Sequence, residues 1–308
     1  MRVIRGLERA RGCFTKPVVT IGNFDGVHLG HQIILQRLRE DADQRGVDAV
    51  VVTFEPHPIA VLRPDAAPTL LMNLGDRLAA LSACNMDATV VQPFSNEFAQ
   101  VEADDFIRRF LVESLAAQRL VVGHDLNFGR GRVGSVEFLV DAGGRYGFDV
   151  EVIRPVHVGE AVVHSSLVRG AVRDGDVELA ARLLGRPHVI RGRVVHGAGR
   201  GKKIGFATAN IQPKTEALPP EGVYVTRAVV EGRRIDGVTS IGSTPTFGGT
   251  ESVIESHLFI EWEDFYGKNL ALEFVARLRD QKKFDGPEQL REQIGRDVEQ
   301  ARAILARE

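Results

Sequence analysis

Through the first half of the chain, short runs of β-branched and apolar residues alternate with longer segments in which apolar positions recur every three or four residues. The runs at 18–21, 49–54, 89–92, 120–122 and 150–153 are expected to be strands. Between them, 29–45 carries Ile34, Leu38 and Ala42 at helical spacing, and 102–117 repeats the pattern through Phe106, Phe110 and Leu111. Strands joined by helical crossovers pair in parallel, so this half predicts βαβ units around a parallel sheet.

The pattern changes after a helical stretch at 177–184, which stops at Gly185 with Pro187 two residues on. A domain boundary is expected near Arg186, giving domains 1–186 and 187–308. Beyond it, 189–195, 223–230, 235–241, 253–261 and 270–278 read as strands with no helices between them, which predicts an antiparallel sheet or small β-barrel. Pro287 then opens a stretch with Leu290, Ile294, Val298, Ala301 and Leu305 on one stripe, a closing helix expected to pack on the barrel. The fold class is therefore α/β, with a parallel-sheet domain followed by an antiparallel barrel.

A length of 308 residues favours two domains, and 44% apolar with 26% charged residues excludes a disordered, collagen-like or coiled-coil chain. Cys13 and Cys84 are the only cysteines, too few for a disulfide scaffold and without zinc or redox spacing, so a reducing, cytoplasmic setting is expected. No apolar run reaches the roughly 18 residues of a membrane span, and the basic residues 1–11 lead into no apolar segment of a secretion signal. Net charge is only −2, but no Asp or Glu falls between Glu178 and Glu216, where Arg182, Arg186, Arg191, Arg193, Arg200, Lys202, Lys203 and Lys214 stand. Such a stretch suits an anionic ligand.

The segment from Ile21 to His31 reads IGNFDGVHLGH and joins a strand to a helix, the position at which parallel sheets bind nucleotides. Gly22, Gly26 and Gly30 let backbone approach a ligand, and the N–H groups of the new helix offer a phosphate site. His28 and His31 are three apart and share one side of the first turn. Two donors aimed at the α-phosphate of ATP would stabilise the charge that builds there during nucleotidyl transfer. A zinc pair and a capped helix with incidental histidines are the competing readings.

The run from Asn23 to His31 resembles the HxGH motif of the nucleotidylyltransferase superfamily, and in this form it is similar to the adenylyltransferase half of bifunctional riboflavin kinase/FAD synthetases. TFEPHP at 53–58, GHDLNFG at 123–129 and SSLVR at 165–169 fit in the same order. The resemblance implies a Rossmann-like domain with His28 and His31 catalytic, and with Gly22, Asn23, Phe24, Asp25, Gly26, Ser166 and Arg169 on ATP. It also implies Asp125, Asn127, Phe128 and Gly129 on the flavin, although Leu126 stands where an aromatic is usual. Pro56 and Pro58 stiffen a loop at the sheet's carboxyl edge and are expected to wall a pocket, with Glu55 and His57 left outside the catalytic set.

In the second half, residues 191–205 place glycines among cations, as a phosphate-cradling loop requires, with nucleic-acid contact as the rival reading. Phe206-Ala-Thr-Ala-Asn210 resembles the Pro-Thr-Ala-Asn motif of riboflavin kinases. In an extended segment Thr208 and Asn210 face the same way, and their hard oxygens suit magnesium. GVY at 222–224, IGSTPTF at 241–247, ESH at 255–257, FYG at 265–267 and LRDQKKF at 278–284 follow in family order. The resemblance implies Glu255 as the base, Thr208 and Asn210 as Mg2+ ligands, Gly197, Arg200 and Gly205 on ATP, and Arg279 on the flavin. Ala207, Ser240, Thr244 and Gln281 depart from the family's proline, asparagine, arginine and glutamate.

The resemblance spans residues 15 to 305. It implies an enzyme that phosphorylates riboflavin to FMN and adenylylates FMN to FAD, with riboflavin, FMN and ATP as its small-molecule partners and neither nucleic acid nor membrane among them. An adenylyltransferase whose barrel binds flavin with little kinase activity is the alternative.

Overall fold

The computed structural model describes residues 1–197, 201, 205–246, 249–261 and 263–307, with backbone alone for 244–246 and 249–252. It divides into two compact units, Met1–Ser165 and Ser166–Glu308. Arg200, expected on ATP, and Phe247 lie outside the described residues.

The first unit is built on strands β1 (Arg2–Arg5), β2 (Val18–Ile21), β3 (Ala49–Glu55), β4 (Ala88–Pro93), β5 (Arg119–Gly123) and β6 (Asp149–Ile153). They form one sheet in the order β1-β4-β3-β2-β5-β6, parallel throughout, with a small hairpin of β7 (His157–Val158) and β8 (Ala161–Val162) beside it. Five of the six strands follow the apolar runs. β1 does not, because this four-residue edge strand is mostly exposed and bounded by arginines, so it carries no apolar run to read. The helices are α1 (Leu29–Arg45), α2 (Pro58–Leu62), α3 (Leu74–Ala83), α4 (Asn96–Ala99), α5 (Ala103–Phe106) and α6 (Val136–Tyr146). The helix expected over 102–117 is short α5 continued as a π-helical turn through Ile107–Ser114.

Alternation along the strands divides the core between the two sheet faces. Val19, Ile21, Val50, Val52 and Val122 pack on Phe106, Ile107 and Phe110, whereas Val18, Val51 and Val121 pack on Leu35, Leu38 and Ala42 of α1. After β2 the chain fills β3 and β4 on one side, then crosses to β5 and β6 on the other. The strand order reverses between β2 and β5, and at such a point the loops leaving the carboxyl ends splay and leave a crevice.

In the second unit, α7 (Ser165–Asp174) and α8 (Val177–Leu184) precede six strands: β9 (His188–Val195), β10 (Ala209–Pro213), β11 (Gly222–Val230), β12 (Arg233–Thr246), β13 (Gly249–Leu258) and β14 (Asn269–Arg279). These close into an antiparallel barrel in the order β10-β13-β12-β11-β14-β9. Helix α8 stands ahead of Arg186 in the sequence yet packs with the barrel. Its Val177 belongs to the barrel core, and Glu178 Oε1 accepts from the Arg277 N–H at 3.3 Å. The core gathers Ile190, Ile211, Tyr224, Ile241, Ile254 and Phe274. Three interior hydroxyls satisfy one another, with Thr239 Oγ1 2.7 Å from Thr226 Oγ1 and donating to Ser256 Oγ at 3.0 Å. The closing helix α9 (Pro287–Leu305) seats Ala301 and Leu305 on Val223, Val225 and Val275, as its apolar stripe predicts.

Candidate active sites

The loop from Gly22 to His28 leaves β2 at the reversal of strand order. Gly22 N–H donates to Val52 O at 3.0 Å, fixing the exit from the sheet. Phe24 (φ 51°), Gly26 (φ 87°) and Val27 (φ 41°) then take left-handed backbone. A β-branched residue rarely adopts that region, and such strain persists only where neighbours over-determine it. Here they do. Thr53 Oγ1 and Arg77 Nη1 both donate to Asn23 O, at 3.1 and 2.9 Å. Asp25 is buried, and its carboxylate accepts from the Leu71 and Met72 N–H groups at 3.2 and 3.0 Å. Ser165 Oγ donates to Asp25 O, and Gln32 Nε2 donates to Val27 O.

At the end of this loop His28 is the N-cap of α1, and its Nδ1 accepts from the His31 N–H at 3.3 Å. Neutral His28 therefore carries its proton on Nε2, which can donate to a ligand oxygen. The two imidazoles stack with centroids 3.7 Å apart and 17° between planes, and Phe24 packs against His31 at 5.0 Å. The two imidazoles therefore stand together at the N-terminus of α1.

The loop after β5 borders the same reversal. Asp125 and Asn127 are exposed, and Asn127 Nδ2 donates to Asp125 O at 2.8 Å. Phe128 turns inward, with its ring packed on Phe106 and Phe138 and its backbone paired with Gly134. Gly129 (φ 72°) lies so close to Ala103 that a Cβ would sit 2.7 Å from its Cα. Phe128 and Gly129 thereby set the loop's course, leaving Asp125 and Asn127 facing outward. Ser166 and Arg169 lie on successive turns of α7, in the second unit.

In the barrel, β10 pairs with β13 so that Asn210 stands directly opposite Glu255, and β12 places Ser240 opposite Glu255 on the other side. Ala209 and Ile211 point into the core, so Asn210 shares the outer face with its cross-strand partner. Gly197 runs against Asn210 closely enough that a Cβ would lie 2.2 Å from Nδ2, and Gly201 passes beside Thr208 Oγ1. The glycine segment and the Thr208/Asn210 pair are therefore neighbours in space. Gly205 takes φ 88°. A cavity of about 270 Å³ opens nearby, lined by Ala207, Ala209, Ser256, His257 and Phe265 among others.

Comparison with known proteins shows the family to which the chain belongs. A family model described as FAD synthetase matches residues 11–167, and one described as riboflavin kinase matches 184–305. The bifunctional riboflavin kinase/FMN adenylyltransferase of Pseudomonas fluorescens is 40% identical over 307 residues, covering 99% of this chain and 98% of the relative. The chain belongs to the bifunctional riboflavin kinase/FMN adenylyltransferase family. Its activities are those of riboflavin kinase and FMN adenylyltransferase. The Escherichia coli (strain K12) relative of the same description is 37% identical, covering 99% of this chain and 98% of its own. A solved Streptococcus pneumoniae structure, described as a macrolide-efflux protein, is 30% identical with a TM-score of 0.90, covering 98% of this chain and 99% of that one.

Ser240 and Gln281, two of the positions expected to depart from the family pattern, meet each other. Gln281 Nε2 donates to Ser240 Oγ at 2.8 Å and to Ile241 O at 2.9 Å, so the segment after β14 is tied to the strand beside Glu255. Ala207 contributes its carbonyl, 2.9 Å from His257 Nδ1. Arg279, expected on the flavin, is engaged within the enzyme: Nε and Nη2 grip Asp297 of α9 bidentately at 2.6–3.1 Å, and Nη1 donates to Asp280 O. Nothing in the sequence singled out Arg77 or Thr53 as supports of the loop after β2. The one available signal was that Arg77 shares a face of α3 with Leu74 and Leu81, an odd place for a cation.

Proposed function

We propose that the two activities occupy two separate triphosphate sites, with residues 1–186 serving adenylyl transfer and 187–308 phosphorylation of riboflavin. In the first, a phosphate oxygen of FMN attacks the α-phosphorus of ATP, a new P–O bond forms, and the Pα–O bond to the departing pyrophosphate breaks. His28 and His31 donate to the nonbridging α-oxygens as charge builds on them, and no covalent enzyme intermediate is needed. Gly22, Asn23, Phe24, Asp25 and Gly26 shape the nucleotide loop, Asp25 doing so from within through its buried carboxylate. Ser166 and Arg169 are assigned to the ATP phosphates on the Ser/Thr-x-x-Arg pattern, which suits a bidentate guanidinium grip. Asp125 and Asn127 face the flavin, and Phe128 and Gly129 fix their loop.

In the barrel, Glu255 accepts the proton of the riboflavin 5′-hydroxyl as that oxygen attacks the γ-phosphorus and ADP departs. Gly197, Arg200 and Gly205 cradle the phosphates, and Arg279, gripped by Asp297, fixes the end of β14 on the flavin side. Thr208 and Asn210 supply two hard oxygens beside the glycine segment, a donor set that fits Mg2+ shared with substrate phosphates. When bound there, the ion would neutralise charge on the β- and γ-phosphates.

The observation that carries this reading is the cross-strand juxtaposition of Asn210 and Glu255 beside Gly197, paired with the stacked His28/His31 donors at a helix N-terminus. Incubation with riboflavin, ATP and Mg2+, followed by chromatography of the flavins, should yield FMN and then FAD. Recovery of unaltered riboflavin alone would overturn the kinase assignment. A chain with two cysteines, Cys13 and Cys84, suits a reducing, cytoplasmic setting.

A further inference from the structure

We infer that Arg77 is a positioning residue for adenylyl transfer, acting on the His28/His31 centre from beneath the nucleotide loop. The inference rests on the reading of that centre proposed above. Arg77 is 2% exposed, and one guanidinium joins three points of the chain. Nη1 donates to Asn23 O at 2.9 Å, and Nη2 donates to Phe54 O at 3.0 Å and to Glu55 Oε2 at 2.6 Å. The loop after β2 and the end of β3 are thereby locked to α3. The locked carbonyl belongs to the residue immediately before Phe24, the first of the left-handed positions. The tie is one of those that hold this strained backbone in place, and His28 sits at the loop's far end.

A planar fork with donors at fixed angles can serve three acceptors, whereas a lysine ammonium cannot span them. Asn23 O has a second donor, Thr53 Oγ1, so the same carbonyl can be loosened without disturbing any charge.

The test measures FMN adenylylation and riboflavin phosphorylation in the full-length enzyme for Arg77→Lys, Arg77→Gln, Thr53→Val and His28→Ala. Arg77→Lys and Arg77→Gln should lower kcat for adenylylation by about 10- to 100-fold, the scale of small misplacements of reacting groups. KM for ATP should change much less, the kinase rate should be retained, and thermal unfolding with far-UV circular dichroism of the full-length variants should match the wild type, which shows that the first unit is folded. Thr53→Val should lower the same kcat by about 3- to 10-fold, a smaller loss because one of two donors remains. Millimolar guanidinium should restore part of the adenylylation in Arg77→Gln.

Wild-type kcat in a folded Arg77→Lys enzyme overturns the inference. If the Arg77 variants do not fold, wild-type kcat in Thr53→Val overturns it. Retained adenylylation in His28→Ala instead overturns the reading of the catalytic centre, so the two failures are distinguishable.

Discussion

His28 Nδ1 accepts from the His31 N–H at 3.3 Å, and the two rings stack with centroids 3.7 Å apart. The hydrogen bond and the stack hold the pair as one unit, each ring fixing the plane of the other. Donors prepared in this way cost little reorganisation when charge appears on a phosphate.

Replacing either histidine should therefore disable the same step. His28→Ala and His31→Ala are each expected to lower FAD formation by about 10²–10³-fold. The double variant should be little worse than either single one, because residues that act as a unit are not additive. FMN formation from riboflavin should continue, as product chromatography will record.

The reverse pattern is expected in the barrel. Glu255→Gln removes the proposed proton acceptor and Asn210→Ala its cross-strand neighbour, and each should lower FMN formation by about 10²-fold or more. FAD should still form when FMN is supplied. Loss of both activities in folded protein would contradict the assignment to separate sites.

Gly197 offers a more selective probe. An added Cβ would fall 2.2 Å from Asn210 Nδ2, with the Asn210 side-chain amide its nearest neighbour, and would displace that amide. Gly197→Ala should therefore impair riboflavin phosphorylation with a melting temperature close to that of the parent.

Arg279 and Asp297 form a pair whose side chains are 15% and 4% exposed, so truncating one partner leaves a largely buried charge. Asp297→Ala is expected to cost about 3 kcal/mol of stability in the barrel. Denaturant unfolding should show an earlier transition accompanied by loss of kinase activity, with adenylylation of supplied FMN retained.

Burial pushes the Tyr224 phenol up to about 12, and its hydroxyl donates to Pro220 O at 2.7 Å. The unfolded phenol ionises first as pH rises, because its ordinary value is about 10. The stability contributed by this group is then fully present below about pH 10 and lost progressively as pH climbs toward the folded value. Denaturation of Tyr224→Phe should show a weaker alkaline loss than the parent between about pH 10 and 11.

Periodicity and local motifs were enough to read the order of the two units, the parallel sheet, the antiparallel strands, the closing helix and the positions of the histidine and Thr-x-Asn motifs. Each is a property of neighbours in sequence: strands repeat every two residues, helices every 3.6, and a helix start is written in a few adjacent positions. The edge strand β1 and the strand β10 escaped because short or half-polar strands lack that repeat. Tertiary structure alone decided that Asn210 faces Glu255, that Arg279 is held by Asp297, and that Arg77, 54 positions from Asn23, supports the loop after β2. Those relationships depend on strand register and on how a helix docks on a sheet. Both are fixed by the sum of many distant contacts and leave no periodic trace in the segments they join.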